Sequence, residues 1–136
     1  MDVQISDGNT EIRSVLILED EGLVAMLMED LVRDLGAESV QTFSEVAQAL
    51  TAASSGEFDC AILDVVLPDG DSGPVADELA RRGIPFLFST GSGPESVPGR
   101  HRNRPTIMKP FPDGDLQAIL LKTLTASSQH QPQAAE

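Results

Sequence analysis

Apolar residues fall into two rhythms along this chain. Short runs without alternation recur at Ser14–Leu18, Val40–Phe43, Asp59–Leu63, Pro85–Ser89 and Thr106–Met108. Runs of this kind mark strands buried on both faces of a parallel sheet. The second run mixes Gln41 and Thr42 into its apolar positions and predicts an edge strand. Between the runs, apolar residues return at three- and four-residue spacing, the period of a helix with one buried face. Leu23, Val24, Leu27, Met28, Leu31 and Leu35 predict the inner face of a helix that starts at Gly22 and ends at Gly36. Val46, Ala49, Leu50 and Ala53 predict a second, capped by Ser44 and stopped by Gly56. Val75, Ala76 and Leu79 predict a third, capped by Asp71 or Ser72, with Pro74 in its first turn and Gly83 at its end. Leu116, Ile119, Leu120 and Leu124 predict the last, capped by Asp113. Residues 92–104 break the rhythm. Gly93, Pro94, Pro98 and Gly99 predict an irregular or shortened fourth helix there.

Strand and helix therefore alternate along the whole chain. Right-handed crossovers between parallel strands turn such a pattern into an α/β, doubly wound five-stranded parallel sheet with helices on both faces. A chain of 136 residues fits one domain of this kind. The polar residues 1–13 predict a flexible N-terminal arm, 14–124 the domain, and the Ser-, Gln- and Ala-rich residues 125–136 a disordered tail.

Charge narrows the function. Twenty-two acids against nine bases leave a formal net charge of −13. Such a surface repels phosphate backbones and anionic lipid, which argues against nucleic acid and membrane as partners. The single cysteine, Cys60, sits inside an apolar run and reads as a core residue rather than a redox or metal group. No disulfide forms within a chain with one cysteine, in keeping with a reducing compartment. The N-terminus lacks an apolar signal core, and no run approaches membrane-spanning length. A cytoplasmic protein is the expectation.

Candidate chemistry gathers where open parallel sheets usually carry it, at the carboxyl ends of the strands. The first strand ends at Glu19 and Asp20, and the third at Asp64, before the Pro68-Asp69-Gly70 turn. The fourth ends at Thr90 and the fifth at Lys109. Taken singly, each has an ordinary reading: a solvated loop acid, a turn-capping aspartate, a turn hydroxyl, a surface lysine. Their arrival at one edge is the signal. Three close carboxylates repel one another, and a hard divalent cation such as Mg2+, which prefers oxygen ligands, relieves the repulsion. Asp20 and Asp64 supply two ligands, and a backbone carbonyl just past Asp64 a third. An ammonium and a hydroxyl opposite suit a transferred phosphoryl group, with Asp64 as the nucleophile.

Four segments, Val15–Glu21, Ile62–Gly70, Phe88–Gly91 and Met108–Phe111, occur in an order that resembles the receiver domains of bacterial two-component response regulators. The likeness covers about residues 14–124. It implies a flavodoxin-like receiver fold with strand order 2-1-3-4-5. It makes Asp64 the phosphoacceptor, Asp20 a direct Mg2+ ligand, Glu19 a ligand mainly through water, and Val66 the residue lending a backbone carbonyl to the metal. Thr90 and Lys109 take the switch-hydroxyl and phosphoryl-binding positions, and a cis bond is expected before Pro110. The run Pro85–Gly91 is similar to a subgroup of single-domain receivers of alphaproteobacteria with a Phe-Ala-Thr-Gly motif; Ser89 replaces the alanine. Many receivers carry an aromatic ring three residues before the lysine, where this chain has Thr106.

The resemblance implies a stand-alone regulator, a monomer or weak dimer and not an enzyme beyond self-phosphorylation and autodephosphorylation. It takes a phosphoryl group from a sensor histidine kinase or histidine phosphotransfer protein and switches a surface for an unknown downstream protein target. Alternatives are a phosphate sink, an unphosphorylated interaction module of the same fold, or a phosphohydrolase working through an aspartyl phosphate. The last usually needs an acid two residues after the nucleophile, where Val66 stands. The output route expected from sequence is residues 91–104, a mobile stretch whose ordering presents Arg100, Arg102 and Arg104.

Overall fold

The computed structural model describes residues 12–112 and 114–134, with side chains as far as residue 124. Five strands form one parallel sheet: β1 (Ser14–Leu18), β2 (Ser39–Phe43), β3 (Cys60–Asp64), β4 (Phe86–Thr90) and β5 (Thr106–Met108). Their order across the sheet is β2-β1-β3-β4-β5, the order that the family resemblance implies. Four helices pack on it: α1 (Gly22–Asp34), α2 (Val46–Ser55), α3 (Gly73–Arg82) and α4 (Asp115–Ala134). Between β4 and β5 only two short 3-10 turns occur, Pro94–Ser96 and Gly99–His101, where the sequence predicts an irregular fourth helix.

The two-residue alternation of the strands sorts the core into two layers. Leu16, Leu18, Ala61, Leu63, Phe86 and Phe88 face α2 and α3, where Ala49, Ala53, Val75, Ala76 and Leu79 receive them. Val15, Ile17, Cys60, Ile62, Leu87 and Ile107 face α1 and α4, against Met28, Val32, Leu116, Leu120 and Leu124. β1, β3 and β4 are thus buried on both faces, which is why their sequences show no polar alternation. β2 is the edge strand its mixed sequence indicated, with Ser39 and Gln41 exposed. Cys60 is a core residue, and burial pushes its thiol up to about 12.

Four local readings are corrected. Ser44 does not cap α2; instead the Asp69 carboxylate accepts the Val46 N–H at 2.8 Å and the Ala47 N–H at 3.1 Å. Asp69 reaches α2 from the tip of a two-stranded hairpin, Val66–Leu67 with Gly70–Asp71, that follows β3. A cap supplied from a distant loop leaves no signature next to the helix it serves. At α3 the cap is Asp71, whose carboxylate accepts the Gly73 N–H at 2.7 Å, and Gly83 ends the helix in the left-handed region at φ 75°. Leu23 and Leu27 do not face the core. They are 83% and 43% exposed, because the inward stripe of α1 runs through Ala25, Met28 and Val32 instead. The predicted arm is anchored at residues 12–13: Ile12 is buried, and the Asp59 carboxylate accepts the N–H groups of Arg13 and Ser14. The rest of that arm, residues 1–11, and the predicted cap Asp113 lie outside the described residues.

The fourth correction concerns the tail. α4 continues to Ala134, through most of the stretch 125–136 predicted as disordered. Its Ala and Gln residues are compatible with a helix, the stretch contains no glycine, and Pro132 falls only in the last turn. Polar composition alone does not separate such an extension from a coil.

Candidate functional site

The carboxyl ends of β1, β3, β4 and β5 bring Glu19, Asp20, Asp64, Thr90 and Lys109 to one edge of the sheet. Glu19, Asp64 and Thr90 are buried there, at 2%, 6% and 2% exposure, while Asp20 is exposed. Carboxylate oxygens of Glu19, Asp20 and Asp64 lie within 4.8 Å of one another. Among the described residues this is the one cluster of acids able to hold a metal ion, and its donors are all hard oxygens, as Mg2+ requires. Lys109 reaches over from the end of β5. Its Nζ donates to Glu19 Oε1 at 3.1 Å and to Asp64 Oδ2 at 3.2 Å. The peptide bond between Lys109 and Pro110 is cis.

Backbone amides hold the remaining acceptor sites. Glu21 N–H donates to Glu19 Oε2 at 3.1 Å, and Val65 N–H to Asp64 Oδ1 at 2.8 Å. Burial pushes the Glu19 carboxyl above its ordinary 4.5; the Glu21 amide opposes this, the Asp64 charge adds to it, and Lys109 opposes it. Burial alone would lower Lys109, but the Glu19 and Asp64 carboxylates more than offset it and hold the ammonium above its ordinary 10.5. The acids thus carry a tethered cation of the protein's own.

A cavity of about 480 Å3 opens over this edge, lined by Asp64, Val66, Thr90, Lys109, Leu27 and Phe111 among others. Exposed Leu27 and the 63% exposed Val66 therefore stand at the rim of the acidic site. A larger cavity, about 720 Å3, runs between β5 and α4 past Thr106, Met108 and Ile119, and it touches none of the five clustered residues. Chemistry selects the smaller one.

A model of the response regulator receiver domain matches residues 15–121, nearly all of the sheet and its helices. The chain belongs to the response regulator receiver domain family. Over 115 residues it is 35% identical to the phyllosphere-induced regulator PhyR of Methylorubrum extorquens, covering 81% of this chain and 43% of that protein. The receiver thus spans less than half of that curated relative's length. The solution structure of SdrG from Sphingomonas melonis Fr1 superposes with a TM-score of 0.73 at 45% identity, covering 85% of this chain and 98% of that one. The BeF3-activated conformation of SdrG superposes with a TM-score of 0.66, over 81% of this receiver and 95% of that chain, also at 45% identity.

The site residues expected from sequence all reach this edge of the receiver, but the segment after Thr90 is built differently from the expectation. Residues 92–104 are not a loose stretch of free arginines. Asp77 on α3 accepts Arg100 Nε at 2.8 Å and Nη2 at 2.9 Å, and pairs with His101 Nε2 at 2.7 Å. Arg102 donates to the Val97 carbonyl, and the Arg104 guanidinium lies 4.3 Å from the Phe86 ring centroid. All three arginines are engaged, Arg102 within the segment and Arg100 and Arg104 with α3 and β4. Sequence reasoning also missed Ser96, whose Oγ lies 3.0 Å from Thr90 Oγ1. Nothing in the spacing of Thr90 and Ser96 points to that contact, because it depends on the 3-10 turn at Pro94–Ser96.

Proposed function

We propose that this receiver is switched by phosphorylation at Asp64, taking the phosphoryl group from a phosphohistidine of a sensor kinase or phosphotransfer protein in the cytoplasm. The observation that carries the reading is the position of Lys109, whose ammonium bridges Glu19 and Asp64 beside Thr90. A carboxylate with a fixed cation on one oxygen is poised for a phosphoryl group and not merely for solvation. In the transfer, an Asp64 oxygen attacks phosphorus and the phosphorus–nitrogen bond breaks, with the electron pair leaving on the histidine nitrogen. Lys109 then shifts its donors toward the phosphoryl oxygens, and Thr90 turns its hydroxyl to them. Glu19, Asp20, Asp64 and the Val66 carbonyl would hold Mg2+, which supplies positive charge for the incoming anion. The metal and the ammonium both answer the mutual repulsion of three acids.

The reading makes the protein a regulator whose surface changes with its charge state. An aspartyl-phosphate phosphohydrolase is disfavoured by Val66, an exposed apolar side chain where hydrolytic chemistry would call for an acid. The test is phosphotransfer from a panel of purified histidine kinases to wild type and to Asp64→Asn. Transfer to wild type alone supports the assignment, and equal labelling of both proteins contradicts it.

A further inference from the structure

The Thr90 hydroxyl carries one proton, and the geometry determines where it points. Thr90 Oγ1 and Ser96 Oγ are 3.0 Å apart. Ser96 Oγ also lies 2.7 Å from the Gly93 carbonyl oxygen, which only accepts. A hydroxyl has a single donor. The Ser96 proton is therefore committed to Gly93, and Thr90 is the donor in the Thr90–Ser96 bond. On its acceptor side Thr90 Oγ1 takes the Ser92 N–H at 3.0 Å. Thr90 is buried, and its one proton is committed before any phosphoryl group arrives.

Phosphoryl oxygens near neutral pH act as acceptors. Thr90 cannot give its proton to them and to Ser96 at once. We propose that Ser96 is a brake on the switch, holding the Thr90 proton at rest and competing with a phosphoryl oxygen on Asp64 for it. The inference rests on the reading of Asp64 as phosphoacceptor.

The segment that carries Ser96 has one end that can let go and one that cannot. Val97 is 2% exposed and belongs to the core layer of Phe86 and Phe88. Arg100 and His101 are tied to Asp77, and the His101 ring stands edge-on to Phe86 at 5.7 Å between centroids. Residues 97–101 are the fixed end. Release of Ser96 therefore moves the stretch from Gly91 to Ser96, next to the Gly91 and Ser92 wall of the acidic cavity. Arg100, Arg102 and Arg104 keep their partners through the transition.

The brake is tested by titrating beryllofluoride, a phosphoryl mimic, in excess magnesium and following bound fluoride by fluorine NMR. Four proteins are compared: wild type, Ser96→Ala, Thr90→Ala and the double variant. Ser96→Ala leaves the Gly93 carbonyl with the Ser96 N–H at 3.1 Å, so the turn keeps its backbone bond. Freed from the competing bond, it binds the mimic roughly fivefold more tightly than wild type, the equivalent of one net neutral hydrogen bond. In the Thr90→Ala background the same substitution changes nothing, because Ser96 acts through Thr90. Ser96→Thr, which retains the hydroxyl, restores wild-type affinity. An unchanged or weakened affinity in Ser96→Ala overturns the brake, as does an equal gain without Thr90. Wild type that binds no beryllofluoride overturns the Asp64 reading itself, a result distinct from either. A second readout needs no variant: in wild type the mimic frees the Ser92 N–H and speeds its hydrogen exchange, while the amides of His101 and Arg102 stay protected. Unaltered exchange at Ser92 contradicts the release.

Discussion

Lys109 Nζ lies 3.2 Å from Asp64 Oδ2, although the two residues are 45 positions apart in the chain. The contact exists because β3 and β5 end at the same edge of the sheet, on either side of β4. It places a cation on the acid proposed to react, and a second bond from the same ammonium holds buried Glu19.

Lys109→Ala leaves Glu19 and Asp64 without that donor. In the presence of EDTA the variant is expected to lose about 1–3 kcal/mol of stability, the cost of unpaired buried polar groups. Added Mg2+ replaces the missing positive charge, so it restores more stability to the variant than it adds to wild type. Urea denaturation with and without magnesium measures both quantities.

Magnesium should stabilise the wild-type fold, since the acids meet only in the folded chain. Each tenfold excess over the dissociation constant adds about 1.4 kcal/mol. Asp20→Asn abolishes the magnesium-dependent rise in melting temperature without lowering stability in EDTA, because Asp20 is exposed and its charge repels Glu19 and Asp64. Thermal melts at increasing magnesium check this.

Asp77 ties the 3-10 segment to α3. The Arg100 hydrogen bond holds its carboxyl down from the ordinary 3.8 to about 2; desolvation opposes this, and the His101 hydrogen bond adds to it. A depressed folded-state value means the stabilisation is complete above 3.8 and is lost as pH falls toward about 2. With half its side chain exposed, the contribution is screened and modest. Asp77→Asn should therefore be less stable than wild type at neutral pH, and the gap should close between pH 3.8 and about 2 in acid titrations of the melt.

Leu120 is fully buried where α4 packs on the sheet. Leu120→Ala should cost about 2–5 kcal/mol, the range for leaving a cavity in a packed core. Denaturant unfolding measures it.

The sheet was legible because β1, β3 and β4 are buried on both faces, and Val15–Leu18 or Cys60–Leu63 had nowhere to place a polar residue. Gly83 announced the end of α3 because a left-handed cap strongly favours glycine. The acids, Thr90 and Lys109 were legible as strand-end residues, since parallel strands deliver their carboxyl ends to one place. What escaped depends on contacts between distant segments. Asp69 caps α2 from the hairpin after β3, and the sequence beside α2 offered Ser44 instead. Leu23 and Leu27 share the helical period of Met28 and Leu31, and periodicity cannot tell which side of a wide apolar stripe meets the sheet. Ser96 reads as one more loop serine until the turn at Pro94 brings it to Thr90.

The central claim is that Asp64 accepts a phosphoryl group within an acid cluster that needs added positive charge. Intact-mass analysis after incubation with acetyl phosphate tests it most directly, on wild type and Asp64→Asn, each with magnesium and with EDTA. The account predicts one added phosphoryl group on wild type with magnesium and none in the other three samples. Label that persists in Asp64→Asn, or that forms equally well on wild type in EDTA, contradicts it.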